Sequence, residues 1–211
     1  MLRQCSPVPQ LIVRRHYAHH MPNDEQPMIE LPPFPKLTWN EFYWDGVVHL
    51  AAWRGFIPLQ ELCPWVTSGV RPDGDLHLHV SSPVDENPEP PSDEQVTSFQ
   101  HLLDNQASLR EAALQAIFAD YPRLRECYGD FVDEQTMPPI SEATDLLRLI
   151  RPGGVHLLAH PKDGFTRVGF GFSCKWDEEH GLGVLTHRGV VIAVGGADEA
   201  FSEYFPELER G

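Results

Sequence analysis

The sequence predicts an α+β protein, a mainly antiparallel β-sheet with a helical insert packed on one face. Three observations carry this. Two blocks alternate apolar and polar residues with the period of a half-buried strand, Leu76 to Val80 and Phe165 to Val194. Between them, residues 92 to 150 carry apolar residues at helical spacing. The strand blocks thus flank the helices rather than alternate with them, which argues against a parallel βαβ repeat.

Residues 1 to 38 read as a proline-rich N-terminal arm, with Pro7, Pro9, Pro22, Pro27, Pro32, Pro33 and Pro35. Proline lacks the N–H that a helix interior or central strand requires, so residues 21 to 36 are expected to be extended. His16, His19 and His20 form a histidine-rich patch with no carboxylate fixed beside it. Leu11-Ile12-Val13 is too short for the apolar core of a signal peptide and is followed by Arg14 and Arg15. No apolar run approaches the roughly 18 residues of a membrane span, and a cytoplasmic location is expected.

A single domain is expected over residues 39 to 211. It opens on aromatics: Trp39, Phe42, Tyr43, Trp44 and Trp53 surround Val47-Val48-His49-Leu50, which reads as a strand entering the core. Asp45-Gly46 and Asp73-Gly74 are turn signals. Leu76, Leu78 and Val80 then face the core, while His77 and His79 share the opposite face. That i, i+2 spacing can serve a metal, although strand histidines are more often simply solvated.

The acidic helical insert spans residues 83 to 150. Ser92 opens a helix, with Asp93 and Glu94 in its first turn and Gln95 at capping-box distance. Val96, Phe99, Leu102 and Leu103 form its stripe. A second helix begins near Ser108 with Leu114, Ile117, Phe118 and Tyr121, and Pro122 is expected to cut or kink it. A third is expected from Ser141 and is stopped by Pro152-Gly153-Gly154.

The C-terminal β-meander covers residues 154 to 198, and a short terminal helix is expected from Asp198 to Phe205. Val155 to Ala159 begins the meander. Val168, Phe170 and Phe172 form one buried face and Leu182, Val184 and Thr186 the next. His187-Arg188-Gly189 turns the chain into Val190 to Val194. Between the second and third of these strands lies a polar segment, Trp176-Asp177-Glu178-Glu179-His180-Gly181, expected to be a loop. Trp176 is expected to pack on the sheet, Asp177 to turn the chain, and Gly181 and Gly183 to permit close backbone approach. Asp177, Glu179 and His180 also have the atoms of a metal site. Neighbours in one loop rarely converge on one ion, however, and no HExxH or CxxC spacing accompanies them.

The run Phe172-Ser173-Cys174-Lys175-Trp176-Asp177-Glu178-Glu179-His180-Gly181-Leu182-Gly183-Val184, closed by Val194-Gly195-Gly196-Ala197-Asp198, resembles the C-terminal signature of a bacterial family of uncharacterised domains. Members are encountered beside toxin genes. The resemblance spans about residues 40 to 200 and is most specific in the last thirty-odd. It implies an α+β architecture and an immunity role, with Trp176, Asp177, Glu179, His180, Gly181 and Gly183 as signature residues. It supplies no catalytic residue.

Charge is the other guide. The chain has 31 acids and 16 bases, a formal net charge of −15. Residues 83 to 145 alone hold fourteen acids and three bases. Direct nucleic-acid binding is disfavoured, because phosphate contacts need clustered Lys and Arg. The plain reading is a solvated face. The functional reading is an anionic surface that captures a basic protein, with Asp85, Glu86, Asp93, Glu94, Asp104, Asp130, Asp133 and Glu134 as the candidate contacts.

Cys5, Cys63, Cys127 and Cys174 lack metal spacing and read as free thiols. No GxGxxG or P-loop pattern precedes a helix, and no cofactor is expected. The function expected is an immunity protein that neutralises a cognate toxin, such as a nuclease effector of type VI secretion. The alternatives are a metal-assisted hydrolase using Asp177, Glu179 and His180, or an interaction module unrelated to toxins.

Overall fold

The computed structural model describes residues 26–64, 70–83 and 88–202. Their strands form one sheet in sequence order: β1 (Met28–Ile29), β2 (Leu37–Trp39), β3 (Tyr43–His49), β4 (Asp75–Ser81), β5 (Ile150–Lys162), β6 (Phe165–Cys174), β7 (Asp177–His187) and β8 (Val190–Gly196). Every described neighbour pair is antiparallel except β4 and β5, which run parallel. A parallel pair cannot be closed by a tight turn and needs a crossover. The helical insert is that crossover: α2 (Asp93–Asp104) and α3 (Gln106–Tyr128) lie in the chain between β4 and β5, whereas the four-residue α1 (Leu59–Leu62) precedes β4.

The sheet has two unlike faces. One carries Trp44 and Val48, Leu76, Leu78 and Val80, Val155 and Leu157, Val168, Phe170 and Phe172, then Leu182 and Val184, all buried. The helices cover this face through Phe99, Leu102, Leu109, Ala113, Ile117 and Tyr121. Aromatic stacking ties the layers, with ring centroids 4.5 Å apart for both Phe34–Phe99 and Trp53–Phe170. The other face carries Tyr43, Asp45, His77, His79 and His156, with glycines beside them, as the strand registers dictate. Part of it is covered by a 3₁₀ turn, Ala197–Phe201. A Cβ at Gly169 would collide with the Ala200 backbone, so this turn sits directly on β6.

The capping box of α2 forms as expected: Ser92 accepts from the Gln95 backbone and the Gln95 side chain accepts from the Ser92 N–H. Gln95 also donates to the carbonyls of Ser81 and Leu158, tying the helix start to the two parallel strands.

Several expectations are corrected. Asp45-Gly46 is not a turn: β3 runs through it, and a Cβ at Gly46 would lie 2.8 Å from Leu37 Cδ2 and 3.2 Å from the Lys36 carbonyl oxygen. Pro122 does not end α3, which continues to Tyr128; Pro122 is exposed, on the side where a carbonyl freed of its partner can face water. The third helix is a six-residue 3₁₀ segment, Ala143–Arg148, held at its start by Asp145, which accepts from the Ser141 and Glu142 N–H groups. Pro152-Gly153-Gly154 is not its stop but part of β5, at a register shift between Pro152 and Gly154, where a bulge tolerates proline. The terminal helix is likewise a 3₁₀ turn, described to Phe201. The arm joins the sheet before residue 39, through β1 and through Leu37, which is fully buried. The histidines at 16, 19 and 20 lie outside the described residues.

Candidate functional site

The segment expected as a loop is instead the foot of β7. Lys175-Trp176 makes the turn. Asp177 pairs with Cys174 and Leu182 with Phe172, so Ser173 alone stands opposite the four residues 178–181. This wide bulge is stabilised from both sides. Trp176 is 7% exposed and packs edge-on against Tyr121, with centroids 5.6 Å apart. Asp177 accepts from the Tyr128 hydroxyl at 2.8 Å and from the His180 N–H at 2.9 Å, and its Oδ1 lies 3.0 Å from His180 Nδ1. Burial and the bond to Asp177 together push the Tyr128 hydroxyl pKa upward. Gly181 has φ 79°, and a Cβ there would strike the Phe172 carbonyl. At Gly183 a Cβ would lie 2.7 Å from the Ala200 nitrogen.

Glu178, Glu179 and His180 are exposed. The three residues weighed as a hydrolytic site therefore do not converge. The Asp177 carboxylate is occupied by the Tyr128 hydroxyl and the His180 N–H, and Glu179 makes no ligand group with it among the described residues. The segment fastens the end of α3 to the sheet.

The acidic candidates fall into separate places. Asp93 and Glu94 occupy the first turn of α2. Asp104 ends that helix, and its Oδ1 accepts from Gln100 at 2.9 Å. Asp130 and the pair Asp133 and Glu134 lie beyond α3, whose 23 residues span about 34 Å. Asp104 and Asp130 thus stand beyond opposite ends of α3. Asp85 and Glu86 lie outside the described residues. Asp133 is engaged locally, accepting from the Gln135 and Thr136 N–H groups at 2.9 Å, and these bonds, Thr136 foremost, lower its pKa.

One feature among these acids was not singled out from the sequence. Phe131, in the 3₁₀ turn Gly129–Phe131, is 94% exposed. Asp130, Asp133 and Glu134 flank it along the chain, and all three are exposed, as is Glu126 at the end of α3. The signal was present in the sequence as a lone Phe between Asp130 and Val132-Asp133-Glu134, off the helical stripe.

A second cluster occupies the uncovered sheet face. Asp45 on β3 is the register partner of His79 on β4, and His79 is the register partner of His156 on β5. The imidazoles of His77, His79 and His156 stack in sequence, with centroid separations of 5.6 and 4.8 Å and interplanar angles of 11° and 18°. Tyr43 meets His79 edge-on at 4.5 Å. Arg71 donates to His77 Nε2. Burial lowers the pKa of His77 and His79, and it lowers that of His156 to about 4, with the neighbouring imidazoles adding to the effect. The rings are therefore neutral near pH 7. One donor atom each from Asp45, His77 and His79 lie within 4.8 Å of one another.

No described helix is long and apolar enough to cross a membrane. No curated protein and no solved structure matches the chain. Residues 68–201, which include β4 to β8, the crossover helices and all three stacked histidines, match the family described as Domain of unknown function (DUF6985). That match covers more than half of the chain, and the protein belongs to this family.

Proposed function

We propose that the chain is an immunity protein, a stoichiometric binder that neutralises a basic bacterial toxin through the acid-flanked surface around Phe131. The observation that carries this reading is a fully presented aromatic with Asp130, Asp133 and Glu134 beside it. Aromatic anchors supply much of the energy of protein interfaces, and a charged rim sets the rate and partner of encounter. Fourteen acids against three bases in residues 83–145 favour a cationic partner. A nuclease is the chemistry that fits, because its substrate cleft is built to receive phosphates. Support also comes from the Trp176–Val184 run and its resemblance to toxin-associated domains.

The test is co-expression with the toxin encoded beside the gene. The intact chain restores growth. Phe131→Ala loses protection while its thermal midpoint stays that of the parent. Full protection by Phe131→Ala contradicts the assignment of this surface.

A further inference from the structure

We propose that Asp45, His77 and His79 form a binding site for a divalent transition-metal ion of the zinc class. The site lies on the uncovered sheet face and is independent of the Phe131 surface.

The geometry is close to that of a bound ion. Donors about 2.0 Å from a tetrahedral zinc stand about 3.3 Å from each other. Asp45 Oδ1 and His79 Nδ1 are already 3.4 Å apart, yet they are not aligned as a hydrogen bond, since His79 Nδ1 has no hydrogen-bond partner. The His77 donor atom is at most 4.8 Å from the other two, within the range that ring rotation about the side-chain torsions closes. His77 Nδ1 is likewise buried and without a hydrogen-bond partner. Two orphaned ring nitrogens beside a carboxylate are a cost to a metal-free site. Coordination removes it.

The donor set selects the ion. Neutral imidazoles with one carboxylate suit Zn²⁺, Co²⁺, Ni²⁺ or Cu²⁺ and not Ca²⁺ or Mg²⁺, which take oxygen ligands. The rigid sheet holds the positions: Asp45 and His79 are cross-strand partners, and His77 is two residues along the same strand. His156 is next in the register, its ring 4.8 Å from that of His79. Arg71 opposes binding: by donating to His77 Nε2 it fixes the ring proton on Nδ1, the nitrogen that must be bare to coordinate. It therefore holds His77 in the tautomer that does not bind.

The experiment is calorimetric titration of the chelator-stripped full-length chain with Zn²⁺, paired with Co²⁺ titration read by visible d–d absorption. The expected result is one equivalent bound at micromolar concentration or tighter, with Co²⁺ bands of a low-coordinate nitrogen and oxygen site. His79→Gln and Asp45→Asn should each weaken binding by about tenfold or more. Arg71→Gln should strengthen it, which a merely structural role for the cluster does not explain. A triple variant with His16, His19 and His20 changed to Ala should bind as the parent does. Circular dichroism confirms that each variant is folded, and Asp45→Asn preserves shape where the histidine variant does not. Absence of Zn²⁺ binding by the parent overturns the proposal. So does unchanged affinity in folded Asp45→Asn, or loss of the bound equivalent in the triple variant.

Discussion

His79 and His156 face each other across the parallel β4–β5 junction, ring on ring at 4.8 Å and 18° from coplanar. The junction exists because the helical crossover returns the chain alongside β4. Burial and the nearness of the other imidazoles both disfavour a charged ring here, which links the stability of the sheet to their protonation.

The pH dependence follows from that relationship. The folded protein holds His156 at a pKa of about 4, chiefly by burial, whereas an unfolded histidine titrates near 6.5. Between these values the unfolded chain binds the extra proton. Stability is therefore complete above about pH 6.5 and falls as pH drops toward 4, by on the order of 3 kcal/mol for His156 alone. Lowered pKa values at His77 and His79 add in the same direction. Urea melts in the presence of chelator should show this slope, and His156→Phe should flatten it. A melt unchanged from pH 7.5 to 4.5 would contradict the neutral stack.

Trp176 is buried against Tyr121 at the turn into β7. Trp176→Ala should cost about 3–5 kcal/mol. Glu178→Ala, at an exposed position in the same bulge, should fall within about 0.5 kcal/mol of the parent. Denaturant melts of the two variants check the contrast, and a Trp176→Ala protein as stable as the parent removes the architectural account of this segment.

How much of this was legible depended on whether neighbours in sequence or across strands made the feature. The alternation of Val168, Phe170 and Phe172 and the Ser92 cap lie within single elements, and both formed as read. His77 and His79 were legible as a same-face pair for the same reason. Asp45 and His156 were not, because their place beside that pair is set by register across three strands. Asp45-Gly46 misled directly. A glycine packed closely under Leu37 within a strand looks, in sequence, like a glycine in a turn. The parallel pairing of β4 with β5 likewise depends on how a long insert returns, which no local pattern encodes.

Cys174 should be chemically silent. Burial pushes its thiol pKa up to about 12, so at pH 8 the reactive thiolate is a negligible fraction. Cys127 is exposed. Iodoacetamide treatment of the native protein at pH 8, followed by peptide mass spectrometry, should label Cys127 and leave Cys174 unmodified until denaturant is added. Rapid labelling of Cys174 in the native state would show that the core beneath the β6–β7 turn is open.

Capture of a basic toxin depends on the charge around Phe131, and the most direct measurement is the association rate with the cognate toxin at several ionic strengths. Salt shortens electrostatic reach from about 30 Å at 0.01 M to about 8 Å at 0.15 M. Glu126, Asp130 and Glu134 are exposed, and the structure favours them over Asp133, whose carboxylate holds its own turn. The predicted result is an on-rate that falls steeply with salt, and a Glu126→Lys, Asp130→Lys, Glu134→Lys variant that associates slowly and with little salt dependence. An on-rate independent of salt, or a triple reversal that binds as fast as the parent, would contradict an acidic capture surface.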